Sequence, residues 1–226
     1  MAAETKLIGL IGGLSPDATW HYYKLLLAAC ARRNLSLRLL INHADLDQVL
    51  DAADRGDEAA LVAHLGGLVR ELEQAGAALV AISAVTPHLV APALARQAGV
   101  PIIDIVDVLD RALQRQSARR VALLGTRTTL ESRFFGRLAA TVMDPSPAQS
   151  DRIHDLYTTV ARRGAEEATS GELAALAEDL TAQHDLDAVI LAGTNLSVIP
   201  PGAWGGAPVI DCADLHVEAI VAAATP

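Results

Sequence analysis

Aromatic side chains are scarce in this 226-residue chain: two Trp, three Tyr and two Phe make up 3% of it. A core must then be filled by Ala, Val, Leu and Ile, the bulk of the 51% hydrophobic share. Lysine is nearly absent, with Lys6 and Lys24 alone, and the arginines are dispersed in pairs such as Arg32–Arg33, Arg119–Arg120 and Arg162–Arg163. With a formal net charge of −9, this leaves no basic patch for a nucleic acid or an anionic membrane. No apolar run approaches the roughly 20 residues of a membrane span. The opening residues, Met1 to Lys6, lack the basic region and apolar stretch of a signal peptide. A cytoplasmic protein is expected. Cysteine is limited to Cys30 and Cys212. A disulfide is not expected in that compartment, and Cys30, on a Leu/Ala-rich stretch, reads as core packing.

What is present is an alternation. Runs at 7–11, 37–41, 79–83, 102–105, 121–124, 188–191 and 209–211 are apolar at successive positions, as strands buried on both faces are. Amphipathic stretches near 17–33, 57–75, 89–98, 106–117, 130–140, 151–163, 171–184 and 213–224 predict helices between them. The order predicts an α/β fold with parallel strands and crossover helices. Turn chemistry in Asp144-Pro-Ser-Pro-Ala-Gln-Ser150 predicts a loop. An internal echo points to duplicated halves. Ile8-Gly-Leu-Ile-Gly-Gly13 aligns with Val121-Ala-Leu-Leu-Gly-Thr126, 113 residues on, and 80–86 aligns with 189–195, 109 residues on.

In an open parallel sheet, ligands collect where loops leave the carboxyl ends of the strands. Those loops are 12–17, 42–47, 83–88, 125–129 and 192–197, the polar islands of an apolar sequence. In the first, Gly12 and Gly13 let the backbone approach a ligand, and the helix start after them offers amide donors to an anion. Neither G-x-G-x-x-G nor G-x-x-x-x-G-K is present, so a carboxylate fits better than a nucleotide. A tight strand-to-helix turn capped by Ser15 or Asp17 explains the same residues.

The stretch Ile8-Gly-Leu-Ile-Gly-Gly-Leu-Ser-Pro-Asp-Ala-Thr19, followed by Tyr22-Tyr23, resembles the opening of the aspartate/glutamate racemase family. Ala84-Val85-Thr86-Pro87-His88 resembles that family's first thiol motif, Cys-Asn-Thr-x-His. Leu123-Leu-Gly-Thr-Arg-Thr-Thr129 resembles its Gly-Thr-x-x-Thr block, and Ala192-Gly193-Thr194-Asn195-Leu196 its second thiol motif, Gly-Cys-Thr-Glu-Leu. Pro208-Val-Ile-Asp211 resembles its closing segment. The resemblance implies two pseudo-symmetric lobes, each a parallel sheet flanked by helices, with a ligand cleft between them. Residues 1–110 plus 209–226 would form the N-terminal lobe and 111–208 the C-terminal one. It also implies a homodimer, a small carboxylate-bearing ligand, and no metal or pyridoxal phosphate.

In that family two cysteines face each other across the cleft, one thiolate removing the α-proton while the opposite thiol delivers another. Here those positions are Ala84 and Gly193, which have no titratable atom. A base on one face alone largely returns the proton to where it came from. The neighbouring asparagine and acid are changed as well, to Val85 and Asn195. Binding groups are better kept. The expected ligand contacts are Gly12, Gly13, Leu14, Ser15, Val85 and Thr86, with Thr126, Thr128, Thr129, Thr194 and Asn195 from the other lobe. Alanine and glycine are smaller than cysteine, so both changes are expected to open space for a bulkier ligand. Substitute acid/base candidates are His88, His43 and Asp45; a helix-start histidine bonding to nearby backbone is the favoured sole role of His88, and a solvated turn explains His43 and Asp45 equally well. Cys212 matches neither thiol position and reads as a small buried filler, while His154, His184 and His216 lack metal-ligand spacing. Three functions stay open: an isomerase or lyase acting on a small carboxylate without thiols, a non-catalytic carboxylate binder, and residual racemisation by another base.

Overall fold

The structure is a computed structural model that describes residues 2–200, 204 and 208–226. It divides into two compact units, 1–105 with 216–226, and 106–215. The first contains β1 (Ala3–Glu4), β2 (Ile8–Gly12), α1 (Pro16–Arg32), β3 (Leu35–Ser36), β4 (Leu39–His43), α2 (Leu46–Asp54), α3 (Glu58–Gln74), β5 (Leu79–Ile82), a 3-10 turn (Thr86–Val90), α4 (Ala91–Gln97) and β6 (Ile102–Ile103). The second contains α5 (Ile105–Arg115), β7 (Arg120–Gly125), α6 (Arg127–Glu131), β8 (Thr141–Val142), α7 (Pro147–Arg163), α8 (Glu167–His184), β9 (Ala188–Ala192), β10 (Val209–Asp211) and the start of α9 (Cys212–Ala224), which ends in the first unit.

Each unit is built on a four-stranded parallel sheet flanked by helices. The orders are β4-β2-β5-β6 and β8-β7-β9-β10, so each runs second, first, third, fourth in its own chain order. The echo in the sequence is thus an echo in topology: β2 pairs Ile8 with Leu79, and β7 pairs Val121 with Ala188. β1 and β3 form a separate parallel pair. The central strands β2, β5 and β9 are buried at every position, as is β7 after Arg120. Each fully buried Leu, Ile or Val in them contributes about 1.5–3 kcal/mol over its exposed state. Edge strand β4 instead leaves Ile41 exposed.

Three expectations are corrected. The predicted helix at 130–140 is replaced by a short α6 and a left-handed turn through Arg133, Phe134 and Phe135 (φ 49°, 57° and 63°), which buries Phe134 completely. The loop read at 144–150 is half helix. Ser146 caps α7 in a capping box with Gln149, and Pro147 takes the first helical position, where a missing N–H costs nothing. Residues 209–215 lie in the second unit, because β10 hydrogen-bonds to β9 along the whole of Val209–Asp211. α2 was not anticipated: it buries little beyond Val49 and Ala52, too narrow a stripe to stand out from a turn.

The core of the first unit holds a polar chain. His216 Nε2 lies 2.7 Å from the carbonyl of Ile103, which can only accept, so this nitrogen carries the proton. His216 Nδ1 then accepts from the Tyr22 hydroxyl at 3.0 Å. The His88 ring packs edge-on against His216, centroids 5.4 Å apart. Burial, and after it the charge of His88, pushes His216 down to about 3. The unfolded chain therefore takes up a proton here before the folded one does. The contribution is complete above about pH 6.5 and is lost as pH falls towards 3. Between pH 7 and pH 5 the loss is about 2 kcal/mol. In urea unfolding, His216→Gln should remove this acid sensitivity, seen as a difference from the parent chain that shrinks by about that amount between the two pH values.

Candidate active site

In the first unit the expected residues gather at the carboxyl ends of β2, β4 and β5. Ser15 caps α1, its Oγ accepting from Ala18 N at 3.4 Å. Thr19 Oγ1 donates to Ser15 O at 2.9 Å and accepts from Gly13 N at 3.0 Å, closing the loop on itself. Gly13 has φ +85°, and a Cβ there would stand 2.6 Å from His43 Nδ1, so both its backbone and the His43 ring require glycine. Leu14 and Val85 are turned into the interior, at 8% and 4% exposure. Ser83 is buried and donates to Ile11 O.

Two of the three acid/base candidates, His88 and Asp45, take structural positions. His88 is fully buried on the 3-10 turn, and its Nδ1 donates to the Ala84 carbonyl at 2.8 Å. Asp45 caps α2: its two oxygens accept from Gln48 N at 3.1 Å and Gln48 Nε2 at 3.0 Å, and these bonds hold its carboxyl below the usual range. His43 is exposed and lines a cavity of about 550 Å³ with Gly13, Pro16, Thr19, Trp20, Tyr23 and Ile41. Ala84 is half-buried, its methyl packed against the main core cluster of this unit.

In the second unit the corresponding loops leave β7, β9 and β10. The Thr126 hydroxyl caps α6, accepting from Thr129 N at 3.2 Å, and it pairs with the Thr129 hydroxyl at 2.8 Å. Thr128 is exposed, whereas Thr129, Thr194 and Asn195 are buried. At Gly193 the expectation of open space is corrected. A Cβ on this residue would overlap Cε2 of Tyr157 and lie 3.1 Å from its Cζ. Tyr157, carried by α7 one turn after Ile153, fills the volume, and its hydroxyl accepts from Asn195 Nδ2 at 3.0 Å. Burial pushes this phenol above its ordinary range.

Two further groups here escaped the sequence reading. Asp211 Oδ1 accepts from Ser197 Oγ and Ala213 N, both at 2.8 Å. Burial first, then the charge of Asp214, raises its carboxyl to about 6. In the sequence it stands only at the end of the segment Pro208-Val-Ile-Asp211. Tyr157 carried a weak signal, as the lone aromatic residue of its helix. Cys212 is fully buried and its Sγ donates to Leu191 O at 2.8 Å; burial raises the thiol well above its usual value. Cys30, also buried, is raised for the same reason. Among the described residues no three His, Cys, Asp or Glu side chains gather as a metal site would require, and no helix is long and apolar enough to cross a membrane.

Residues 11–220 match the model of the Asp/Glu/hydantoin racemase family. The chain belongs to this family. Solved structures agree in fold. A Yersinia pestis protein assigned as an Asp/Glu racemase superposes with a TM-score of 0.85 at 24% identity, over 97% of this chain and 99% of its own. An aspartate racemase homologue from Pyrococcus horikoshii OT3 gives 0.82 at 25% identity, over 97% and 99%. A variant of arylmalonate decarboxylase gives 0.58 at 18% identity, over 96% and 93%. Both parallel sheets and their flanking helices are thus those of racemase-family proteins.

The overlap at position 193 sets a stability test. Gly193→Ala should cost about 1–3 kcal/mol in urea denaturation, as overpacked cores do. The same change made in a Tyr157→Ala background should cost clearly less, because the ring it collides with is gone. Equal costs in both backgrounds would show that the two positions do not share one volume.

Proposed function

We propose that this racemase-family chain acts on a small carboxylate as an isomerase or lyase that uses no thiol pair. One observation carries the reading: the two positions that resemble the family's thiols, Ala84 and Gly193, offer a methyl group and a hydrogen atom. The cysteines that exist, Cys30 and Cys212, are both buried. Inversion at Cα needs a proton-bearing group on each face, whereas the buried His88 gives its Nδ1 proton to the Ala84 carbonyl. Each unit carries hydroxyl- and amide-bearing loops of the kind that suits a carboxylate, 12–15 in the first and 126–129 with 194–195 in the second.

Thermal stabilisation across amino acids and dicarboxylates, with deuterium uptake at Cα in D₂O, tests it. At least one carboxylate should raise the melting temperature, while aspartate and glutamate are not inverted. Inversion of either by the parent chain would overturn the reading. Stabilisation without chemistry on any member of a broad panel would make the protein a carboxylate binder instead.

We further propose that two copies pair through the exposed side of α1 and β4. Trp20 is 58% exposed and stacks on Tyr23, centroids 5.5 Å apart, while Leu27 one turn further and Ile41 on β4 are also open to solvent. Copies of a chain with net charge −9 repel, and the cavity at this face is lined by no carboxylate. Sedimentation should give a dimer for the parent chain and a monomer for Trp20→Glu; a monomeric parent would refute the pairing.

A further inference from the structure

Gly193, Thr194 and Asn195 follow β9, and the chain then turns through a 3-10 segment, Leu196–Val198. Leu196 N donates to Gly193 O at 2.9 Å, so the loop folds back on itself at once. Thr194, Asn195 and Ser197 are all buried. Strand β10 runs parallel to β9 and ends at Asp211, in register with Leu191. From there Asp211 Oδ1 accepts from Ser197 Oγ and from Ala213 N in the first turn of α9, both at 2.8 Å. One carboxylate thus fastens the loop of Thr194 and Asn195 to the start of a helix. All of these residues belong to the second unit.

A buried anion is an awkward anchor for a loop that receives an anion. Asn195 and Ser197 are two residues apart, so their Cα atoms stand at most about 7.6 Å from each other. A carboxylate held by that loop repels Asp211 across an interior that screens charge far less than water does. The titratable groups beside Asp211 are Asp214 and Cys212 on α9, with Tyr157 of α7 next to Cys212 and Asn195. All three are acids, and none can neutralise the charge. Burial, and after it Asp214, raises Asp211 to about 6, while the bonds from Ser197 and Ala213 pull it back. A further negative charge in the loop raises it again.

We propose that Asp211 is the proton-linked positioning residue of the carboxylate site, holding the loop of Thr194 and Asn195 in place and taking up a solvent proton when a carboxylate binds there. The inference rests on the carboxylate reading above and adds a dependence on pH. By linkage, affinity is highest below about pH 6, where Asp211 carries its proton before the ligand arrives. It falls as pH rises, because binding then has to drive the proton on. On release of the ligand the proton returns to solvent.

Aspartate, glutamate and alanine are the probes, since their carboxyl groups stay almost fully ionised from about pH 5.5 to 8. Calorimetry in two buffers of different ionisation enthalpy gives both the affinity and the protons taken up. The parent chain should bind at least about fivefold more tightly at pH 5.5 than at pH 8, with net proton uptake at pH 7. Asp211→Asn keeps an oxygen acceptor for Ser197 and Ala213 but carries no charge. Its affinity should match the parent's pH 5.5 value at both pH values to within about twofold, with no proton uptake. Two milder variants leave Asp211 in place. Asp214→Asn, at an exposed position, removes a charge that raises Asp211 and should move the midpoint to lower pH. Ser197→Ala removes a bond to the ionised form and should move it to higher pH. Level affinity in the parent, a pH response that persists in Asp211→Asn, or a midpoint that neither milder variant moves would overturn the assignment and leave the carboxylate reading standing. Binding of none of the three probes would remove the inference; binding of nothing in the wider panel would remove the carboxylate reading as well.

Discussion

A parallel strand sealed on both faces can offer polar chemistry only at its ends, and that restriction organises this molecule. β2, β5, β7 and β9 are apolar and buried almost throughout, so hydrogen-bonding groups are displaced to the loops that follow them. Within those loops most polar atoms are already engaged: Thr19 closes the first loop, Thr126 caps α6 and Asp45 caps α2. Polar residues at strand ends therefore build the turns before they are free to recognise anything. That is why Asp45, attractive as an isolated carboxylate, turns out to be a helix cap.

The two units solve one packing problem with two sets of side chains. Both sheets share a strand order, and both place a small residue after the third strand, Ala84 in one and Gly193 in the other. The first unit backs its small residue with a hydrocarbon core, and below it His88 and His216 join a buried polar chain to Tyr22. The second unit backs its own with a phenol, an amide and a carboxylate of raised affinity for protons. The symmetry of the backbone is not a symmetry of chemistry.

How far this was legible in the sequence depended on the range of the interactions. Central strands announced themselves through unbroken apolar runs such as 79–82, and the capped start of α1 through Ser15 and Pro16. Local rules failed where a distant group or an unusual backbone decided the outcome. Nothing within a few residues of Arg133 foretells three successive left-handed residues. The edge pairing that holds Val209–Asp211 in the second sheet is set by β9, some twenty residues away in sequence. At the site, loops and glycines were visible, but Tyr157 and Gly193 lie far apart in the chain, and their shared volume exists only in three dimensions. Asp211 was hidden for a similar reason, because its proton affinity comes from burial and from Asp214.

The interlocked pair also constrains the protein's history and its redesign. Cysteine at 193 is strained unless the ring of Tyr157 moves or shrinks, and shrinking residue 157 first leaves a hole beside a bare glycine. Any route between a thiol-bearing and a phenol-bearing version of this fold thus crosses a less stable intermediate. Such a valley works as a ratchet: once a lineage has settled on one arrangement, single replacements select against leaving it.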